Sequence, residues 1–168
     1  YAKRAKDLGY KVFLNPVNVT GYSYNNLKAV LKKGKKIKPY GVSIVDTFGT
    51  LSEKSLIPLL GLFNEILPRD TIIGLHLHEN LSLSFSLAQF FLKHMSKDRQ
   101  LVIDSSILGM GRIPGNLPTE LIMPYLNANK SKFYDLFPIL EAAEKIISPI
   151  KKKIPWGYSP EYALSAEL

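Results

Sequence analysis

Short apolar runs alternate along the chain with longer stretches of helical periodicity. Runs rich in β-formers begin near Tyr10 (Tyr-Lys-Val-Phe-Leu), Gly41 (Gly-Val-Ser-Ile-Val), Ile72 (Ile-Ile-Gly-Leu) and Leu101 (Leu-Val-Ile), about 30 residues apart. The segments between them read as helices. One runs from Tyr24 to Lys33 behind Ser23, a candidate N-cap. A second runs from Ser52 to Leu67 and stops before Pro68. A third, Leu81 to Met95, carries Leu83, Leu87, Phe90 and Phe91 at helical spacing. Helices are also expected over 117–126 and 133–147. Tyr1 to Leu8 reads as the last turns of a helix, with Gly9 as its C-cap.

Strand and helix in alternation predict βα units around a parallel sheet. The strands are short and apolar, as expected when both faces are covered. Two α/β architectures fit: a doubly wound sheet or a (β/α) barrel. No Gly-x-Gly-x-x-Gly follows the first strand, which weighs against a dinucleotide fold. Every predicted strand finishes in polar groups: Asn15 and Asn18, Asp46 and Thr47, His76 and His78, then Asp104, Ser105 and Ser106. In a (β/α) barrel all such ends share one face, where the active site lies. The expected fold is therefore a TIM (β/α)8 barrel, represented by about its last four units. A full barrel takes about 250 residues, so residues 1–150 are expected to form a half-barrel of a longer protein and 151–168 a tail. Open sheet edges in a half-barrel predict self-association or pairing with a missing N-terminal half.

Composition narrows the class. The chain has 168 residues, is 46% hydrophobic and 21% charged, and contains no cysteine. Disulfides, thiolate metal sites and a cysteine nucleophile are excluded, and a reducing, cytoplasmic setting is expected. No apolar run is long enough to span a membrane. The net charge of +8 comes from lysine, including Lys32-Lys33-Gly34-Lys35-Lys36 and Lys151-Lys152-Lys153. These runs lack the interleaved aromatics of a single-strand binding groove, so they read as a solvated surface and no nucleic-acid partner is expected.

The candidate chemistry centres on His76-Leu77-His78-Glu79-Asn80. Residues two apart on a strand share a face, so two imidazoles at a strand mouth make half of a divalent-metal site. Three motifs follow in order: Asp46-Thr47-Phe48-Gly49, His76 to Leu83 (His-Leu-His-Glu-Asn-Leu-Ser-Leu), and Gly109-Met110-Gly111-Arg112-Ile113-Pro114-Gly115-Asn116. Together they resemble the HMGL-like family of divalent-metal aldolases, lyases and synthases on a TIM barrel. The 4-hydroxy-2-oxovalerate aldolase branch is the nearest in pattern. The resemblance covers Leu8 to Asn127, with a weaker echo at Trp156 to Tyr162.

The resemblance implies a set of roles. His76 and His78 match the two ligand histidines, and Asn116 matches an Asn that ligates or supports the metal in some members. Tyr158 matches an active-site Tyr, and Asp46 stands where a site carboxylate is expected. The family's remaining Asp ligand, its adjacent Arg and its catalytic His belong to the half of the barrel that precedes this sequence. The chain alone is then expected to be an incomplete catalyst. The implied cofactor is Mn²⁺ or Mg²⁺, with Zn²⁺ as the third candidate, and the implied substrate is a 2-oxo acid. The implied reaction cleaves or forms a C–C bond through a metal-stabilised enolate. An acetyl-CoA-dependent Claisen synthase of the isopropylmalate synthase type is one rival. A catalytically inactive half-barrel interaction module is the other.

Each residue also has a plainer reading. Asp46 could cap the next helix, although Ser52 is better placed. Asn15 and Asn18 flank Pro16 and suit either a turn or a substrate pocket. Arg112, in a glycine-rich loop, suits a carboxylate or a phosphate. His94 reads as solvated surface, and Trp156 as a packing anchor or a partner contact.

Overall fold

The computed structural model describes residues 1–95, 98–112, 114–129, 133–154 and 156–157. In chain order the elements are α1 (Ala2–Asp7), β1 (Phe13–Leu14), α2 (Tyr24–Lys35), β2 (Gly41–Val45), α3 (Glu53–Ile66), β3 (Ile72–His76), α4 (Ser84–His94), β4 (Leu101–Ile103), α5 (Thr119–Asn129), α6 (Phe137–Ala142) and α7 (Ser148–Lys151). Short 3₁₀ turns lie at Val19–Gly21 and Ile107–Gly109. A π-turn, Ala143–Ile147, joins α6 to α7.

Local chemistry explains the boundaries. Gly9 takes φ 87°, the left-handed conformation that ends α1. Ser23 caps α2 by accepting from the Asn26 amide at 3.3 Å. Lys32, Lys33 and Lys35 stand at its negative C-terminal end. α3 opens with a capping box in which Ser52 and Ser55 exchange hydrogen bonds of 2.9 and 3.2 Å. Its apolar stripe Leu56, Leu60, Phe63 is buried.

The four strands lie in the order β1-β2-β3-β4, and every pair is parallel. β2 and β3 pair over five positions, from Gly41↔Ile72 to Val45↔His76. Both are buried throughout except at His76, which matches their unbroken apolar character. A doubly wound sheet reverses its strand order at a switch point; these four strands do not, as in a (β/α)8 barrel.

The structure departs from the periodicity in three places. Only Phe13 and Leu14 of the first predicted strand join the ladder, because Tyr10 and Lys11 are exposed outside it. α4 starts at Ser84 rather than Leu81. Ser82 sits at φ 55°, and the Ser84 hydroxyl donates to the Glu79 carboxylate, so residues 78–83 form a loop. The last helical region starts at Phe137 rather than Phe133.

The chain groups into two compact units. The first comprises Tyr1–Thr47, Leu51–His76 and Gln89–Ile103 and holds the whole sheet. The second comprises Phe48–Thr50, Leu77–Ala88 and Asp104–Leu168. In the first, Arg99 is 5% exposed and fully engaged. Its guanidinium donates to the carbonyls of Leu67 (3.0 Å), Pro68 (2.6 Å) and Thr71 (2.8 Å) and to Asn64 Oδ1 (3.3 Å). Burial draws its pKa below the ordinary value, the like charge of Arg69 adds to this, and Asp70 opposes it. The bonds tie the segment between α3 and β3 to the start of β4. In the second unit, Trp156 is buried and donates from Nε1 to the Leu108 carbonyl at 2.8 Å, which makes it a packing anchor. Among the described residues no helix is long and apolar enough to cross a membrane.

Candidate metal centre

The first unit carries the strand-end residues. His76 is the last residue of β3, half-buried, and its carbonyl accepts from the Asp46 amide at 2.9 Å. Asp46 follows β2 directly and is 1% exposed. Both its carboxylate oxygens accept from the Leu51 amide, at 3.3 and 3.2 Å. The carboxylate thus folds the loop back onto its own strand end, while Ser52 caps α3 as expected. Asn18 takes φ 53°, accepts at Oδ1 from the Thr20 hydroxyl (3.2 Å), and donates its amide to Thr47 Oγ1 at 2.6 Å. It is a turn residue that also ties the ends of β1 and β2. Asn15 is exposed and lines a cavity of about 240 Å³ with Leu14, Pro16 and Val30.

The second unit holds His78, Asn116 and Arg112. His78 and Asn116 face each other in an isolated antiparallel bridge. The Gly115 carbonyl accepts twice, from His78 Nδ1 at 3.2 Å and from the Glu79 amide at 3.0 Å. A carbonyl can only accept, so Nδ1 carries a proton, and in a neutral ring the lone pair then lies on Nε2. That is the tautomer a metal-ligating histidine uses, held by its backbone partner.

The glycines of this loop are needed where they stand. Gly115 takes φ 117°, and a Cβ there would meet the Gly109 carbonyl oxygen at 2.5 Å. Gly109 takes φ 65° and accepts from the Asn116 amide at 3.0 Å. Two backbones therefore pass at a distance that side chains would prevent. Gly49, at φ 62°, leaves room instead for the side chain of the buried Asn80.

Asn116 is satisfied on one side only. Its Nδ2 donates to the Met110 carbonyl at 3.1 Å and reaches Ser106 Oγ at 3.5 Å. Its Oδ1 is buried and accepts no hydrogen bond from the described residues. Arg112 is exposed, and its carbonyl accepts from the Gly115 amide at 2.6 Å to close the loop. Tyr158 and Tyr162 lie outside the described residues. Among the described residues no three His, Asp or Glu side chains gather as a ready-made metal cluster. His94 is exposed, as expected, and stacks on Phe90 at 3.8 Å.

The glycine loop and its histidine point to one family, and comparison with known proteins agrees. The HMGL-like family model matches residues 1–146. The chain belongs to the HMGL-like family. Among its relatives is 4-hydroxy-2-oxovalerate aldolase 4 of Rhodococcus opacus strain B4, 27% identical over 126 residues, or 73% of this chain and 35% of that protein. The 4-hydroxy-2-oxovalerate aldolase of Geobacillus genomosp. 3 is 30% identical over 123 residues, covering 71% and 35%. The chain thus spans about a third of the length of these curated relatives. Among solved structures, the N-terminal domain of a candidate aldolase from Bacteroides vulgatus superposes with a TM-score of 0.83 at 28% identity, covering 98% of this chain and 53% of that one. The HMG-CoA lyase of Bacillus subtilis gives a TM-score of 0.71 at 20% identity, covering 96% and 56%. The fold is that of the family's TIM barrel, represented by four parallel βα units.

Proposed function

We propose that this HMGL-like chain is part of a divalent-metal-dependent aldolase or lyase acting at a 2-oxo acid, with His76, His78 and Asn116 as its metal ligands. The observation that carries the reading is the Asn116 side-chain oxygen, buried and without a donor among the described residues. Leaving such an acceptor unmade costs about 1–3 kcal/mol. An amide oxygen and an imidazole nitrogen are a donor set that suits Mn²⁺, Mg²⁺ or Zn²⁺. His76 joins the set through the family resemblance alone, because β3 ends at His76 and His78 lies in the loop beyond it. When bound, such an ion supplies Lewis acidity toward the keto oxygen of a 2-oxo acid.

The other residues position and select. The Gly115 carbonyl fixes the tautomer and angle of the His78 ring. Arg112, exposed on the loop, is suited to hold the substrate carboxylate. Asp46 keeps the loop after β2 in one shape through Leu51. Asn15 and Asn18 border the mouth of β1, and Tyr158 is proposed as a site residue on sequence grounds alone.

The test pairs binding with turnover. Calorimetric titration with Mn²⁺ is expected to show one site, weakened at least about tenfold in His78→Ala and in Asn116→Ala. The protein as the cell makes it, with Mn²⁺, is expected to release pyruvate from 4-hydroxy-2-oxo acids. Metal bound without turnover on a broad panel of such acids rejects the aldolase reading. Release of CoA thiol from acetyl-CoA and a 2-oxo acid would replace it with a Claisen synthase.

A further inference from the structure

The first unit carries a second feature that the metal centre does not use. A cavity of about 480 Å³ lies where α2 and α3 end, lined by Lys32, Lys35, Lys36, Lys38, Glu65 and Ile66. The volume falls within the range of small-molecule sites. In a parallel βα unit the helix ends where the next strand begins, so the cavity lies at the end of the sheet where β2 and β3 start. His76 stands at the opposite end of β3.

The charge carried by the lining residues is one-sided, and their aliphatic stems with Ile66 make up most of the lining. Its single carboxylate, Glu65, is paired with Lys28 at 3.2 Å. Among the described residues the ammonium groups of Lys32, Lys35, Lys36 and Lys38 have no carboxylate partner. Complementing the helix dipoles does not account for them. Each helix C-terminus presents about half a negative charge. Part of that is already answered by Lys6, whose Nζ donates to the carbonyls of Ile37 and Lys38 at 3.0 and 2.8 Å. Four lysines against two half-charges leave a surplus of about three positive charges. Such a surplus repels itself in the folded state and is relieved by a multivalent anion.

The geometry favours a compact ligand. Lys38 adopts φ 51°, a left-handed turn at a non-glycine residue, and lies in the lining with the lysines of the preceding helical turn. Ile66, buried at the end of α3, adds apolar lining. Ammonium groups on flexible stems suit phosphate oxygens as point charges. We infer that this cavity binds a phosphorylated small molecule with two or more negative charges, of the size of a nucleoside diphosphate. The site lies at the end of β3 opposite His76 and does not depend on the aldolase reading.

Calorimetric titration of the chain with ADP and with inorganic pyrophosphate, at constant ionic strength, tests the inference. Saturable binding with a dissociation constant below about 1 mM is expected for at least one of them. The double variant Lys35→Gln/Lys36→Gln is expected to weaken it at least about tenfold. Lys151→Gln/Lys152→Gln, an equal change of charge in the second lysine run, is expected to leave it unchanged. ADP binding tighter than pyrophosphate assigns a nucleotide, and equal binding assigns the phosphates alone; both sustain the site. Equal weakening in the two double variants reduces the effect to general surface charge and overturns it. So does the absence of saturable binding, or tight oligonucleotide binding that ADP fails to displace.

Discussion

Arg99 and Asn116 are both polar groups taken out of water, and their surroundings treat them in opposite ways. Arg99 is a full charge, yet three carbonyls and an amide oxygen surround its guanidinium. Asn116 is neutral, yet its oxygen is buried with no donor among the described residues. Burying the charge is the harder task, and the fold has completed it. Burying a neutral acceptor is the easier task, and the fold has left it undone. The first arrangement serves stability: it ties the end of α3 to the start of β4 through segments about 30 residues apart in sequence. The second costs stability.

The contrast makes ordered predictions. Arg99→Met, which leaves three carbonyls without their donor, is expected to lower unfolding stability by about 3 kcal/mol. Urea denaturation would show it as a lower midpoint at unchanged slope. A loss under about 1 kcal/mol would break the comparison, because the cage would then be incidental. Gly115→Ala comes next. Its backbone at φ 117° and its approach to the Gly109 carbonyl predict a loss of about 2 kcal/mol, together with weaker Mn²⁺ binding through the displaced His78 partner. Thermal unfolding and metal titration on the same sample check both halves.

Ser52→Ala calibrates the scale. It removes an exposed capping bond and should cost about 1 kcal/mol, read from the same denaturation curves. Asn116→Ala is expected to have the smallest effect on stability, under about 1 kcal/mol in either direction, because the lost Nδ2 bonds are offset by the removal of an orphaned acceptor. Its Mn²⁺ affinity should nevertheless fall about 10- to 100-fold. Stability and affinity falling together would merge the two residues into one structural class. Affinity falling alone sharpens the distinction.

Much of this was legible in the sequence because its causes are local. Ser23 and Ser52 mark helix starts through bonds to residues three positions on. The apolar runs at Gly41 and Ile72 mark buried strands because both faces are covered. Gly9 and the glycines of 109–115 announce their turns through backbone freedom. The motif order of Asp46, His76, His78 and Asn116 named the family.

The rest depended on distant partners. Arg99 sits among Asp98 and Gln100 and reads as a solvated loop; its cage is built by residues 28 to 35 positions away. The hydrogen bond that the Asp46 carboxylate accepts from the Leu51 amide becomes visible only once the loop has folded back. The Ser84–Glu79 bond shortened the third predicted helix because one hydroxyl outweighed three residues of favourable periodicity. The lysines between 32 and 38 are exposed, as a solvated face requires, and only the fold brings the end of α3 beside them.

The unequal pairing of the four strands sets an order of assembly. β2 and β3 share five register positions, β3 and β4 three, and β1 and β2 two. Every parallel pairing must first close a loop through its crossover helix, at similar entropic cost, so the longest ladder repays that cost best. The β2–α3–β3 unit should therefore be the part already formed at the folding barrier. Its central amides should exchange with deuterium last, while the two-residue rung of β1 opens and closes many times before the remainder of the sheet lets go.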